Sequence, residues 1–259
     1  MVDIPATVEL PAADAAALEQ AFAAARAAGA ALGLPGEGDA PQTAGDRACW
    51  TLEPGSVPAL DLDEPALQEL GRLAARWQAW HPADALPAST GWRRGVLQQQ
   101  LRERAEGRDA ALDEAGREQL ERELHHQSLY RFEDLPVAGS YWSAVRRHGE
   151  QTGLAGLVIP PAPLPAFWQL ARIALTVAVD AQGELDRDRY RALLDGYHRE
   201  RPLSAIERGA APTLLRMAAL DTWLGRIESG DADAGPDARL AGLQGAGTRV
   251  QSVWVRQAA

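Results

Sequence analysis

The stretch Gly183-Glu-Leu-Asp186, Tyr190-Arg-Ala-Leu-Leu-Asp-Gly-Tyr197, Arg201-Pro-Leu-Ser204, Glu207 and Ala218-Ala-Leu-Asp-Thr-Trp-Leu-Gly-Arg226 decides how the chain is read. Asp186 stands at a helix cap, and Tyr190, Leu193, Leu194 and Tyr197 recur at i, i+3, i+4 and i+7, one apolar face of a helix. Ser204 and Glu207 have capping-box spacing for a second helix. Leu220, Trp223, Leu224 and Ile227 give the final helix its apolar edge.

Upstream, helices are predicted over 165–179, 113–131, 93–106 and 63–80, the last opening on Asp63 with Pro65 in its first turn. Leu120 and Leu124 mark the buried stripe of the 113–131 helix, and His125 and His126 near its end point about 100° apart, which reads as solvated or helix-terminal rather than chelating. Strand-like pieces fill 135–159 before Pro160-Pro-Ala-Pro163 interrupts regular structure. An Ala-rich helix is predicted over 12–31, and the glycines of 32–39 follow it as a cap and loop rather than joining a strand to a helix, as a phosphate loop would. Residues 6–10 and 47–53 read as short strands. Downstream, 229–247 reads as a flexible loop, and Val250, Ser252 and Trp254 alternate with Gln251, Val253 and Val255 as a terminal strand.

Composition narrows the function classes. A formal charge of −10, with Arg interspersed among Asp and Glu, disfavours nucleic acid and anionic membranes as partners. Cys49 is alone, so an intramolecular disulfide and a four-thiolate zinc site are excluded. Without a membrane span or a leader pattern the expected location is cytoplasmic. The chain also contains no Lys and no Asn, which excludes a lysine Schiff base and a Walker-A lysine contact. G-x-S-x-G, H-E-x-x-H and C-x-x-C motifs are missing as well.

The quoted C-terminal pattern resembles the end of type II homoserine kinases, in the aminoglycoside-phosphotransferase-like branch of the protein-kinase fold. The resemblance implies an α+β, mostly helical fold: a protein-kinase-like C-terminal lobe with a truncated N-terminal lobe. It also implies three parts: residues 1–56 as the lobe remnant, 57–228 as the helical lobe, and 229–259 as a flexible loop and tail. Such enzymes carry an H-x-D-x-x-x-x-N loop and a later metal-binding Asp. Following the resemblance upstream through Leu135-Pro136, Ser140 stands for the loop His, Trp142 for the catalytic Asp, Arg147 for the magnesium Asn and Ile159 for the second metal Asp. An indole cannot take a hydroxyl proton as a carboxylate does, and neither Arg nor Ile offers magnesium an oxygen ligand. A slip in register changes nothing, because residues 136–165 contain no Asp and one carboxylate, Glu150.

The sequence therefore points to a pseudokinase serving as a binding or scaffold module, with no catalytic, cofactor or metal residues, and with a protein partner or a homo-oligomer expected. Two rivals stand beside it. One is an enzyme repurposed around Glu150, His148 or Asp180; the other is an accessory subunit of an active kinase or biosynthetic enzyme.

Overall fold

The computed structural model describes residues 7–11, 42–44, 47–51, 62–79, 96–132, 134–138, 141–148, 151–158 and 164–255. Its strands are β1 (Thr7–Pro11), β2 (Gln42–Ala44), β3 (Arg47–Thr51), β4 (Val137–Ala138), β5 (Tyr141–His148), β6 (Gln151–Val158) and β7 (Leu164–Pro165). Its helices are α1 (Glu64–Ala79), α2 (Val96–Ala105), α3 (Glu114–Ser128), α4 (Ala166–Ala178), α5 (Arg187–Glu200), α6 (Ala205–Ser229), α7 (Ala238–Gln244) and α8 (Gly247–Val255). The described chain is mostly helical. It divides into two units, the first made of 1–92, 137–169 and 192–202, the second of 93–136, 170–191 and 203–259. The predicted 12–31 helix and the 32–39 loop lie outside the described residues.

In the first unit β3 pairs antiparallel with both β1 and β2, and β5 and β6 form an antiparallel ladder in constant register from Tyr141↔Val158 to His148↔Gln151. Helix α1 begins as its sequence dictates, with the Asp63 carboxylate accepting from the Ala66 backbone N–H at 3.0 Å. It buries Leu67, Leu70 and Leu73. Against the C-terminal part of α5 it makes a backbone-to-backbone approach that two glycines permit. A Cβ on Gly71 would stand 2.0 Å from the Leu193 carbonyl oxygen, and one on Gly196 1.9 Å from that of Gln68.

In the second unit α6 is the central element, running alongside α2, α3, α7 and α8. The Ser204/Glu207 capping box is formed, and Gly230 closes the helix in the left-handed conformation. The two helical stretches expected here are one 25-residue helix that runs through Pro212. Its buried face carries Leu214, Leu215, Met217, Leu220, Trp223 and Leu224.

Three expectations are corrected. Val250–Val255 belongs to a helix, α8, rather than a strand: Val250 and Val253, at i and i+3, are the buried pair, so period 3 overrides the β propensity of the valines. The 229–247 segment, expected as a flexible loop, contains α7, whose N-cap Asp237 accepts from the Leu240 N–H at 2.7 Å. It is held by close contacts that its small residues allow, since a Cβ on Gly242 would meet the Gln182 carbonyl oxygen at 2.1 Å. On α3 the buried face is Gly116, Gln119, Leu120, Glu123 and Gln127; Leu124, one position round, is half-buried.

Candidate functional site

Of the four positions that the resemblance assigns to catalysis, Trp142 and Arg147 lie in the continuous ladder of β5, paired in the backbone with Leu157 and Thr152. Ser140 and Ile159 lie outside the described residues. Among the alternative residues, His148 closes the β5–β6 ladder opposite Gln151, and Glu150 lies outside the described residues. Asp180 builds a turn: its carboxylate accepts from the backbone N–H groups of Gln182 and Glu184 at 2.9 and 2.8 Å.

The residues that carry the C-terminal resemblance perform structural work. Tyr190, Leu193, Leu194, Tyr197, Leu203 and Trp223 are buried. Asp186 caps α5, accepting from the Asp188 and Arg189 N–H groups at 3.1 Å each. Gly183 holds a positive φ of 79°, and a Cβ there would reach 2.2 Å from the Arg239 carbonyl oxygen. Arg201 donates to the Tyr197 hydroxyl at 2.9 Å, with its guanidinium carbon 5.7 Å from the same ring's centroid.

Three polar clusters stand out in the described residues. In the first unit, the Tyr197 hydroxyl donates to Gln78 Oε1, and Gln78 Nε2 donates to the Ala166 carbonyl and to Gln169 Oε1, both at 2.8 Å. These buried amides are mutually satisfied, which suits positioning of α1, α4 and α5 rather than proton transfer.

In the second unit, fully buried Glu123 receives Arg216 Nε and Nη2 on Oε2 at 3.0 and 2.5 Å, and Gln244 Nε2 at 3.2 Å. Gln127 Nε2 donates to its other oxygen at 3.2 Å. With both oxygens occupied, Glu123 is committed to joining α3, α6 and α7. His126 lies 3.4 Å from the Thr213 hydroxyl; burial, with the adjacent positive Arg216, holds its pKa below the ordinary imidazole value.

The third cluster lines an open groove of about 440 Å³ between α2 and α6, walled by Leu97, Gln100, Leu101, Arg104, Arg108 and Asp221. Arg104 donates to Asp221 and, from Nε and Nη2, to Glu228 at 3.1 Å. Burial lowers its pKa, but Glu228 and Asp221 outweigh that effect and leave it raised. The groove thus presents matched charges. Among the described residues no three His, Cys, Asp or Glu side chains gather as a metal site.

Glu123, Arg216 and Gln78 are absent from the sequence reading because their partners are distant in the chain. The available signal was a carboxylate and two amides, Glu123, Gln119 and Gln127, on the same helical stripe as Leu120.

No family model matches the chain. Parts of it are similar to curated homoserine kinases. The similarity to that of Pseudomonas aeruginosa (strain UCBPP-PA14) is 40% identity over 73 residues, covering 27% of this chain and 23% of the relative. For Janthinobacterium sp. (strain Marseille) it is 46% over 59 residues, 21% and 18% of the two chains. For Methylobacillus glycogenes it is 41% over 61 residues, 24% and 19%. The chain thus spans less than a quarter of the length of these relatives, and the likeness supports a homoserine-kinase-like relationship over that part.

Proposed function

We propose that this chain is a catalytically inactive relative of homoserine kinases, a pseudokinase that keeps the helical lobe of the kinase-like fold as a binding or scaffold module. The observation that carries the reading is the absence of both Lys and Asn from its 259 residues. Phosphoryl transfer on this fold relies on an ammonium at the nucleotide phosphates and a carboxamide on magnesium. The 136–165 stretch, with no Asp, offers no replacement for the catalytic and metal-binding carboxylates. The reading is further supported by the residues of the likeness, which serve as caps and core.

Calorimetric titration with ATP and magnesium tests the catalytic half of the proposal, and the expected result is no saturable binding at millimolar nucleotide. Magnesium-dependent binding in the micromolar range, with γ-phosphoryl transfer to homoserine, would overturn it. For the scaffold half, the chain tagged at its native level should elute with a partner, or with itself, at fixed stoichiometry. A monomer at every concentration, without a stoichiometric companion, would refute that half.

A further inference from the structure

Helices α7 and α8 follow one another in the chain and are both too short to be stable alone, yet they are fastened to the second unit in different ways. Buried groups hold α7. Asp237 at its N-cap exchanges two main-chain hydrogen bonds with the Gln119 amide at 2.6 and 3.0 Å, and Leu240 and Leu243 are buried. Gln244 Nε2 donates to fully buried Glu123 at 3.2 Å, and Arg239 donates to the Val179 and Asp180 carbonyls at 2.9 Å each. Every buried side-chain polar atom of α7 has a partner.

Helix α8 is tied less well. Running alongside α6, it buries Val250 and Val253; Ser252 and Trp254 are half-buried, and Thr248, Arg249 and Gln251 are exposed. Its ion pair, Arg249 with Glu184 at 2.6 Å, joins side chains 45% and 60% exposed, and pairs so open to water contribute little. Arg187 Nη2 on α5 donates to Ser252 Oγ at 3.0 Å.

Docking α8 also leaves donors unmet. Arg187 Nε, in the guanidinium that reaches Ser252, and Trp254 Nε1 are both buried without a hydrogen-bond partner. Native interiors leave few such groups, and each regains water when the helix lifts, so both oppose docking. The connection from α7 runs through Gly245-Ala246-Gly247, and a Cβ built on Gly247 would meet nothing within 4 Å. Glycines on either side of one alanine let the backbone turn there.

From this contrast we infer that α8 is a strap that lifts off α6 about the Gly245–Gly247 connection while α7 stays in place, an opening far easier than unfolding of the unit. Lifting releases Arg187 from Ser252 and Arg208 from the Trp254 ring, whose centroid lies 5.9 Å from the Arg208 guanidinium carbon. A face of α5 and α6 carrying these two guanidiniums is therefore presented in the open state alone. The inference is independent of whether the chain is catalytically inactive.

Native-state hydrogen exchange of the full chain, resolved by helix, tests the strap. Relative to intrinsic rates, α8 amides should exchange about a hundredfold or more faster than those of α6 and α7. Val253→Ala should speed α8 about tenfold further, because it weakens the docked state. Leu120→Ala, on α3, should speed α6 exchange and leave α8 as in the parent, because α3 is intact whether the strap is down or lifted. Protection of α8 equal to that of α6, opening of α7 together with α8, α8 exchange unmoved by Val253→Ala, or α8 accelerated by Leu120→Ala as much as α6 would each overturn the strap.

Discussion

Replacing Gly196 by Ala tests the α1–α5 crossing. In an unobstructed helix the change stabilises by about 1 kcal/mol, because glycine loses more backbone freedom on folding. At Gly196 the new methyl would lie 1.9 Å from the Gln68 carbonyl oxygen, 2.6 Å from its carbon and 2.8 Å from its Cα, all main-chain atoms that cannot rotate away. Restoring an ordinary contact of 3.4 Å requires the helices to part by about 1.5 Å. A buried leucine makes about 40–60 contacts of roughly 0.1–0.2 kcal/mol, and a gap of 0.5–1 Å forfeits about a quarter to a half of each. Opening the packing around the buried leucines on these helices therefore outweighs the propensity gain, with a net loss of about 1–3 kcal/mol, as is typical for an overpacked site. Urea unfolding followed by circular dichroism measures it. Gly71→Ala, with its methyl 2.0 Å from the Leu193 oxygen, should behave alike, and the double variant should lose less than the sum because helices parted for one methyl admit the other. A Gly196→Ala protein as stable as the parent, or more so, would refute the close crossing.

Glu123→Ala should destabilise by about 3–5 kcal/mol, because it strands the mostly buried Arg216 without its carboxylate; the shift of the urea midpoint measures this. His126 gives a pH dependence whose sign follows from its lowered pKa: the folded state resists protonation, so its stabilising contribution is complete above the ordinary value of 6.5 and declines as pH falls from there toward the folded value. His126→Gln should flatten that decline, as seen by comparing urea midpoints at pH 7.5 and 5.5, and an unchanged slope would refute the assignment.

Much of the local structure is legible because its causes are local. The Asp63, Asp186 and Ser204 caps, the Glu207 half of the capping box and the α5 face all act within a turn or two, and each forms as the spacing implies. The C-terminal segment misleads because valine favours strands, while the structure uses Val250 and Val253 as a helical pair. The candidate sites were hardest to read, since Arg216 and Glu123 stand 93 residues apart and Arg187 meets Ser252 across 65. The four positions that the resemblance assigns to catalysis rest on side-chain chemistry in the sequence alone, and two of them, Ser140 and Ile159, lie outside the described residues.

Asp237 has a consequence for when the chain folds. Its N–H donates to Gln119 Oε1 at 2.6 Å, and its carbonyl accepts from Gln119 Nε2 at 3.0 Å, so a buried side-chain amide reads a stretch of main chain much as a neighbouring strand would. The two residues are 118 apart. A ribosome that has finished α3 must therefore synthesise about two fifths of the 259-residue chain before that amide can meet its partner. Until then the second unit is held open by an unanswered polar group, as well as by the missing Arg216 and Gln244 for Glu123. Its closure thus waits for residue 237, and a chain truncated before that residue leaves the Gln119 amide unanswered, the kind of incomplete fold that proteases and chaperones act on.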